Sequence, residues 1–168
     1  MQFDQLDHYT SNGTDYGEFM ISTNPGEPLK PLRNIASGGE MSRIMLAMKN
    51  VLAEQDAIPT LIFDEVDAGV SGRAAQKVAE KLWAVAQAGK QVLCVTHLPQ
   101  IAAMAQQQYL VEKAEHGGRT YTNIRLLDRE GRRYELARLS GGDMITDIQL
   151  AGAEELLARD ERFRASLS

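Results

Sequence analysis

Cysteine is almost absent from this chain: Cys94 is the only one among 168 residues. A single thiol cannot close a disulfide within the chain, so a fold held together by internal disulfides is excluded. The thiol lies in the apolar run QVLCVT, and a reducing, cytoplasmic setting is the simplest expectation for it. The hydrophobic fraction of 43% and the charged fraction of 24% are ordinary for a globular domain with its own core.

Long apolar runs and a surplus of basic residues are also lacking. No run approaches the ~20 apolar residues of a membrane-spanning helix. The polar and acidic beginning, MQFDQLDHYTSNGTDYG, is not that of a signal peptide. The formal net charge of −5 argues against a broad nucleic-acid-binding surface. Residues 1–16 have no hydrophobic period, and we expect them to be a loose lead-in to a domain spanning 17–168.

Two short apolar runs, TLIF at 60–63 and QVLCVT at 91–96, are typical of strands buried on both faces of a parallel sheet. Val78, Leu82 and Val85 recur at helical spacing between them, which predicts a helix over 73–88. The resulting βαβ unit implies parallel strands and a right-handed crossover. We therefore predict an α/β fold of parallel strands with flanking helices.

Further elements follow from periodicity and turn residues. A Gly117-Gly118 turn predicts an antiparallel hairpin. The remaining predictions are a strand at 17–23, helices at 38–55, 99–106, 132–139 and 144–158, and hairpin strands at 108–113 and 120–127.

Two acids follow the first apolar strand, in TLIFDEVDAG. Open α/β sheets bind ligands at the carboxyl ends of their strands, so Asp64 and Glu65 are candidates for a site. Asp64 could hold Mg²⁺, mostly through water, and Glu65 could orient or deprotonate an attacking water. The alternative is a strand ending in solvated acids, or Asp64 capping the next loop.

The second strand ends in Thr96-His97, and parallel pairing would bring His97 to the same edge. An imidazole at that place could contact a terminal phosphate. An ordinary polar residue at a strand end is the simpler explanation of a lone His.

Two Ser-Gly-Gly stretches resemble each other, in IASGGEMSR and RLSGGDMIT. The first precedes an amphipathic helix, so Ser37 and Glu40 would form a capping box. The same helix N-terminus could bind phosphate, since glycine lets a ligand approach the backbone. The second stretch is followed by one helical pattern and no strand. We expect it to be a loop and helix start capped by Ser140 or Asp143.

Taken together, SGGE, LIFDE, VDAGVSG and VTHLPQIA resemble the ABC-type ATPases, and among them the SMC-like RecN family of bacterial DNA double-strand-break repair and recombination proteins. The resemblance runs from NPGEPL to the end of the sequence. It implies a P-loop NTPase fold of ABC type, with ATP sandwiched between two heads. The implied roles are ATP contact in trans for Ser37, Gly38, Gly39 and Glu40, water-mediated Mg²⁺ binding for Asp64, catalytic base for Glu65, a loop facing the partner head for Asp67, and γ-phosphate contact for His97.

The phosphate-binding motif GxxxxGK(S/T) is missing from the sequence. Its only Gly-Lys, Gly89-Lys90, is followed by Gln91, has Ala84 in place of the first glycine, and precedes a strand rather than a helix. No heptad run is long enough for an SMC-like coiled coil. The resemblance therefore covers a C-terminal lobe only, which we expect to bind ATP poorly and to hydrolyse it negligibly by itself.

The implied cofactors are ATP and Mg²⁺. The implied partners are the N-terminal half of the same head, which carries the P-loop, a second head by homodimerisation, and DNA through the full-length protein, with no membrane. The resemblance also implies a cytoplasmic, nucleoid-associated protein.

Two other functions are compatible with the motifs. One is an ATPase subunit of another ABC-superfamily member, although DEVD and HLPQ argue against a transporter. The other is a dimerisation module without catalysis.

A cluster of arginines between Arg119 and Arg138 could touch DNA phosphates. Interleaved acids such as Glu115 and Glu130 favour a solvated, mixed-charge face instead.

Overall fold

A computed structural model describes residues 1–22, 26–34, 37–53, 55 and 57–167, apart from the side chain of His116. The described residues form a mixed α/β structure. Its strands are β1 (Gln2–Thr10), β2 (Gly13–Glu18), β3 (Met20–Ile21), β4 (Lys30–Pro31), β5 (Thr60–Phe63), β6 (Gln91–Cys94), β7 (Tyr109–His116) and β8 (Arg119–Leu126). Its α-helices are α1 (Gly38–Leu52), α2 (Gly72–Gln87), α3 (Pro99–Met104), α4 (Arg129–Gly141) and α5 (Asp147–Ala165).

The predicted βαβ unit is confirmed. Strands β5 and β6 pair in parallel, from Thr60 opposite Gln91 to Phe63 opposite Cys94. Helix α2 connects them and buries its apolar face. Together with α1 and α3 it forms a core that contains Leu46, Phe63, Val66, Val78, Leu82, Trp83 and Ile101.

The prediction that these two strands are buried on both faces is wrong for the described part of the chain. Alternate side chains of a strand point to opposite faces, and the helices cover only one of them. Phe63 is buried, but Ile62 is 71% exposed and Leu93 is 46% exposed. Val95, just beyond β6, is 64% exposed. The described residues thus leave an apolar sheet face, made of Ile62, Leu93 and Val95, in contact with solvent.

A second core joins α3, α4 and α5 through Ala103, Leu136 and Leu157. Two arginines fasten the carboxyl end of α3 to these helices. Arg132 donates to the Ala105 carbonyl oxygen at 2.8 Å, and Arg164 donates to that of Met104 at 2.9 Å. These bonds satisfy carbonyl groups that the short helix leaves without a partner in its own last turn.

The beginning of the chain forms two strands where we expected a loose lead-in. Strands β1 and β2 form an antiparallel hairpin in which Thr10 lies opposite Gly13. Gly13 has a φ of 105°, a conformation that glycine adopts readily. The Asn12-Gly13 pair is a hairpin signal that outweighs the missing period. The strand predicted at 17–23 is divided between β2 and β3, and residue 23 lies outside the described part.

The second Ser-Gly-Gly stretch ends one helix and does not begin the next, so that prediction was also wrong. Ser140 and Gly141 lie in the last turn of α4, and Ser140 Oγ donates to the Leu136 carbonyl oxygen. Helix α5 begins only after Thr146, which forms a capping box with Gln149. Three residues separate Gly142 from Thr146, so neither Ser140 nor Asp143 lies at the start of a helix.

The other predicted elements are present with shifted ends. Helix α1 ends at Leu52, α4 begins at Arg129, and α5 reaches Ala165. The hairpin of β7 and β8 is longer than the sequence pattern indicates. In the described part of the chain, no helix combines the length and the apolar character that crossing a membrane requires.

Candidate functional site

Three segments meet at the carboxyl edge of the β5–β6 sheet. The first is the start of α1, where Ser37 is the N-cap and its Oγ accepts from the Glu40 N–H at 3.4 Å. This bond is one half of the expected capping box. The second is the acidic loop after β5, defined here as residues 64–68. The third is the turn at Thr96-His97 after β6.

The glycines of the first Ser-Gly-Gly stretch lie against the acidic loop. A Cβ on Gly39 would be 2.7 Å from the Ala68 Cβ and 3.0 Å from the Glu65 carbonyl oxygen. A Cβ on Gly38 would be 2.6 Å from Glu65 Oε2. Larger residues would therefore separate the two segments. The glycines of this stretch and Glu65 are therefore neighbours within the chain, while their roles toward ATP stay predictions.

Two residues that the sequence interpretation missed hold these segments together. Ser42 Oγ donates to the Asp64 carbonyl oxygen at 2.8 Å. Arg43 Nη1 donates to the carbonyl oxygens of Val66 and Ala68, at 3.3 Å and 2.7 Å. Both follow SGGEM on the first turns of α1, but nothing in their own pattern indicates which backbone groups they bind.

Asp67 is turned into the protein. Its side chain is 3% exposed, and its Oδ2 accepts from Thr96 Oγ1 at 2.6 Å and from the His97 backbone N–H at 2.9 Å. The same oxygen lies 3.0 Å from His97 Nδ1, while the His97 side chain is 73% exposed. The role of this loop toward a partner head stays a prediction, but the Asp67 carboxylate itself is directed at His97.

Asp64 and Glu65 are exposed at the same edge. Among the residues that the structure describes, no cluster of three or more His, Cys, Asp or Glu side chains could hold a metal ion. One exposed carboxylate fits Mg²⁺ nonetheless, because this ion keeps several waters and is often shared with nucleotide phosphates. The donor set therefore suits a metal that arrives with a nucleotide.

Cys94 is not a candidate nucleophile or metal ligand. Burial, followed by the nearby carboxylates of Asp67 and Asp64, raises the pKa of its thiol to about 12. The thiol therefore stays protonated near neutral pH, and the thiolate is the reactive and ligating form.

The arginine cluster forms a mixed-charge surface, as its interleaved acids indicate. Arg125 pairs with Glu112, Arg129 pairs with Glu154 and Glu161, and Arg138 pairs with Glu135. Such pairs neutralise much of the positive charge that a phosphate backbone would require.

Comparison with known proteins gives one consistent result. No family model matches the chain. It is 50% identical over 149 residues to "DNA repair protein RecN" of Halalkalibacterium halodurans, which covers 89% of this chain and 26% of that protein. It is 46% identical over 157 residues to the protein of the same name from Bacillus subtilis, and 48% identical over 150 residues to that of Vibrio cholerae.

The chain thus spans about a quarter of the length of these relatives. A solved structure described as "Structural biochemistry of ATP-driven dimerization and DNA stimulated activation of SMC ATPases" aligns over 74% of this chain and 81% of that chain. Its sequence identity is 19% and its TM-score is 0.48. Over nearly its whole length, this chain is similar in sequence to the RecN family of DNA repair proteins, which confirms the resemblance that its motifs indicate.

Proposed function

We propose that this chain is the C-terminal lobe of an ATP-binding and ATP-hydrolysing head in a RecN-like protein of DNA double-strand-break repair and recombination. The observation that carries the proposal is the close packing of Gly38 and Gly39 against the acidic loop that contains Glu65. The same edge of the sheet also presents His97. The similarity to RecN proteins from several bacteria supports the same function.

In this proposal the start of α1 acts on an ATP that a second head holds. Ser37, Gly38 and Gly39 contact its γ-phosphate, because a helix N-terminus offers free N–H groups and the positive end of the helix dipole. Glu40 belongs to the same ATP-binding stretch, and its backbone N–H bonds the Ser37 hydroxyl. The bonds from Ser42 and Arg43 to the acidic loop then link this contact to the loop of the chain's own ATP site.

The acidic loop acts on the ATP of its own head. Asp64 would hold Mg²⁺ through water, and the ion would supply neutralisation of the charge on the transferred phosphoryl group. Glu65 orients the attacking water and accepts its proton. His97 contacts the terminal phosphate from the neighbouring strand.

The remaining lobe of the head is the proposed partner on the exposed sheet face. Apolar side chains on the face of a parallel sheet, such as those of Ile62 and Leu93, are normally covered. An N-terminal half of the same head, with the P-loop, would supply that cover as well as the site for ATP. Homodimerisation of complete heads would then bring each α1 N-terminus to the ATP of the other, in a cytoplasmic, nucleoid-associated protein that meets DNA through its full length.

Reconstitution tests the proposal. The chain is co-expressed with a P-loop-bearing half from the same protein, and ATP hydrolysis is measured for each half and for the complex. We expect turnover by the complex only, and we expect Glu65→Gln to abolish it. Steady turnover by this chain without a partner would contradict the proposal. Association without turnover would indicate the non-catalytic dimerisation module instead.

A further inference from the structure

We propose that Asp67 is a positioning residue for His97, which holds the imidazole with its proton on Nδ1 and presents Nε2 at the carboxyl edge of the sheet. The consequence for ATP hydrolysis rests on the proposed function. The arrangement of the ring itself does not, because it concerns only contacts within this chain.

One oxygen atom organises the turn after β6. Asp67 Oδ2 accepts from the Thr96 hydroxyl and from the His97 backbone N–H. Thr96 Oγ1 accepts in turn from the Leu98 backbone N–H at 3.1 Å, and Leu98 is the N-cap residue of α3. The Asp67 carboxylate therefore determines the path of the backbone on both sides of His97.

The same oxygen also determines the protonation pattern of the ring. A backbone N–H can only donate, so Oδ2 serves as an acceptor. His97 Nδ1 lies 3.0 Å from it. An unprotonated Nδ1 would direct its lone pair at this carboxylate oxygen, whereas an N–H at the same place is attracted to the negative charge. The contact therefore favours the tautomer of the neutral ring in which the proton is on Nδ1.

The position of the proton determines what the exposed side of the His97 ring offers to a ligand. With Nδ1 engaged, Nε2 is the only nitrogen left for a ligand. A phosphate oxygen can only accept, so a phosphate contact from Nε2 needs the doubly protonated ring, whose positive charge the Asp67 carboxylate faces at 3.0 Å. A free His side chain in water has neither its orientation nor its tautomer selected in this way.

The tautomer is measured directly by two-bond proton–nitrogen NMR of the ¹⁵N-labelled chain at alkaline pH, because histidine rings in general are neutral there. The chain has three histidines, and the His97→Gln variant assigns the signal of interest. We expect the Nδ1-protonated form in the unmodified chain. A predominantly Nε2-protonated His97 would overturn the proposal without any variant having to fold.

Two variants then test whether the Asp67 carboxylate selects the tautomer of His97. Asp67→Ala removes the acceptor, and we expect the Nε2-protonated form to become predominant. Asp67→Asn keeps an amide oxygen that can accept from Nδ1, and we expect it to retain the Nδ1-protonated form. Retention of the Nδ1-protonated form in Asp67→Ala would overturn the proposal, since another group would then select the tautomer.

The functional consequence is measured in the reconstituted head. We expect Asp67→Ala to lower kcat by about tenfold to a hundredfold, as misplacement of a catalytic group does, with little change in KM. The double variant Asp67→Ala/His97→Gln should be no slower than His97→Gln alone, because Asp67 acts through His97. If the two substitutions instead lowered kcat multiplicatively in the double variant, the role of Asp67 as a positioning residue for His97 would be overturned. Asp143→Ala, in the exposed loop after α4, is the control for loss of a carboxylate.

A reconstituted head without any ATP hydrolysis would contradict the proposed function. It would leave the NMR result on the Asp67–His97 contact standing, so the two failures are distinguishable.

Discussion

Glu65 has a left-handed backbone, with a φ of 57°, directly after β5. For a residue with a Cβ this conformation costs about 1–2 kcal/mol. The cost is offset by the surrounding contacts, which include the bond from the Ala68 N–H to the Glu65 carbonyl oxygen. Strain at this residue is consistent with a functional role, since such outliers cluster at active sites.

The first prediction follows from that strain. Asn tolerates the left-handed region better than Glu does, so Glu65→Asn should leave the free energy of unfolding equal or raise it by up to about 1 kcal/mol. The same variant should abolish ATP hydrolysis in the reconstituted head. Urea unfolding measures the stability, and a marked loss of stability in Glu65→Asn would contradict the interpretation of Glu65 as strained.

The second prediction concerns the contact between Gly39 and Ala68. Gly39→Ala should lower the free energy of unfolding by about 1–3 kcal/mol, because backbone and Cβ atoms at 2.7–3.0 Å must move apart. Gly152→Ala is the matched control. It is also a helical glycine, but no atom lies within 4 Å of the added Cβ, so it should stabilise by roughly 0.5–1 kcal/mol. Equal effects in the two variants would show that packing at Gly39 is not tight.

At the scale of elements, α5 carries a buried carboxylate into its contact with α2. Asp160 is fully buried, and its Oδ1 accepts from Arg159 and from Gln76 of α2. Within the described residues its Oδ2 has no hydrogen-bond partner. Burial raises the pKa of the Asp160 carboxyl above its ordinary value of 3.8, despite the opposing effect of Arg159.

The third prediction is a pH dependence of stability. The pKa of the Asp160 carboxyl is higher in the folded state than in the unfolded chain. Its contribution to the free energy of unfolding is therefore fully present below pH 3.8 and is lost as the pH rises through the folded-state pKa. The stability of the unmodified chain relative to Asp160→Asn should therefore fall as the pH rises from about 4 through the raised folded-state pKa. Urea unfolding of both proteins at several pH values measures this difference in the free energy of unfolding. A difference that stays constant with pH would contradict a raised pKa of Asp160 in the folded state.

Most elements were predictable because their signals are local. Helical spacing at Val78 and Leu82 and the apolar run TLIF are read within one or two turns of the chain. The hairpin of β1 and β2 was missed because polar strands lack a hydrophobic period, although Asn12-Gly13 was the available signal. The start of α5 was misplaced because Thr146 and Gln149 form a capping box within a few residues of a more conspicuous Ser-Gly-Gly.

At the scale of the whole molecule, the exposed apolar face of the β5–β6 sheet is the feature that indicates a partner. Ile62 and Leu93 lie on the two paired strands of an α/β unit and Val95 lies just beyond them, yet the described residues leave all three 46–71% exposed. Exposed apolar side chains in such a position indicate an interaction surface. The chain spans about a quarter of the length of its RecN relatives, and in the proposed function the other lobe of the head covers this face.

The fourth prediction tests that surface. The double variant Ile62→Thr/Leu93→Thr should weaken association with the P-loop-bearing half by about tenfold or more, since two exposed apolar side chains would lose their partner. The circular dichroism of the chain alone should be unchanged, because neither side chain belongs to its core. Val51→Thr, on the exposed part of α1, is the control, and association is measured by calorimetry. Undiminished binding by the double variant would place the partner elsewhere.

The sequence by itself determined the order of the motifs, the βαβ unit, most helices and the edge at which Asp64, Glu65 and His97 meet. These features depend on local periodicity, on turn residues and on the direction of parallel strands, all of which neighbouring residues encode. Only the tertiary structure decided that Asp67 faces His97, that Gly39 touches Ala68, and that Arg43 binds the acidic loop. These contacts join residues about 25–30 positions apart, and their geometry depends on how α1, β5 and β6 pack together, which no local pattern encodes.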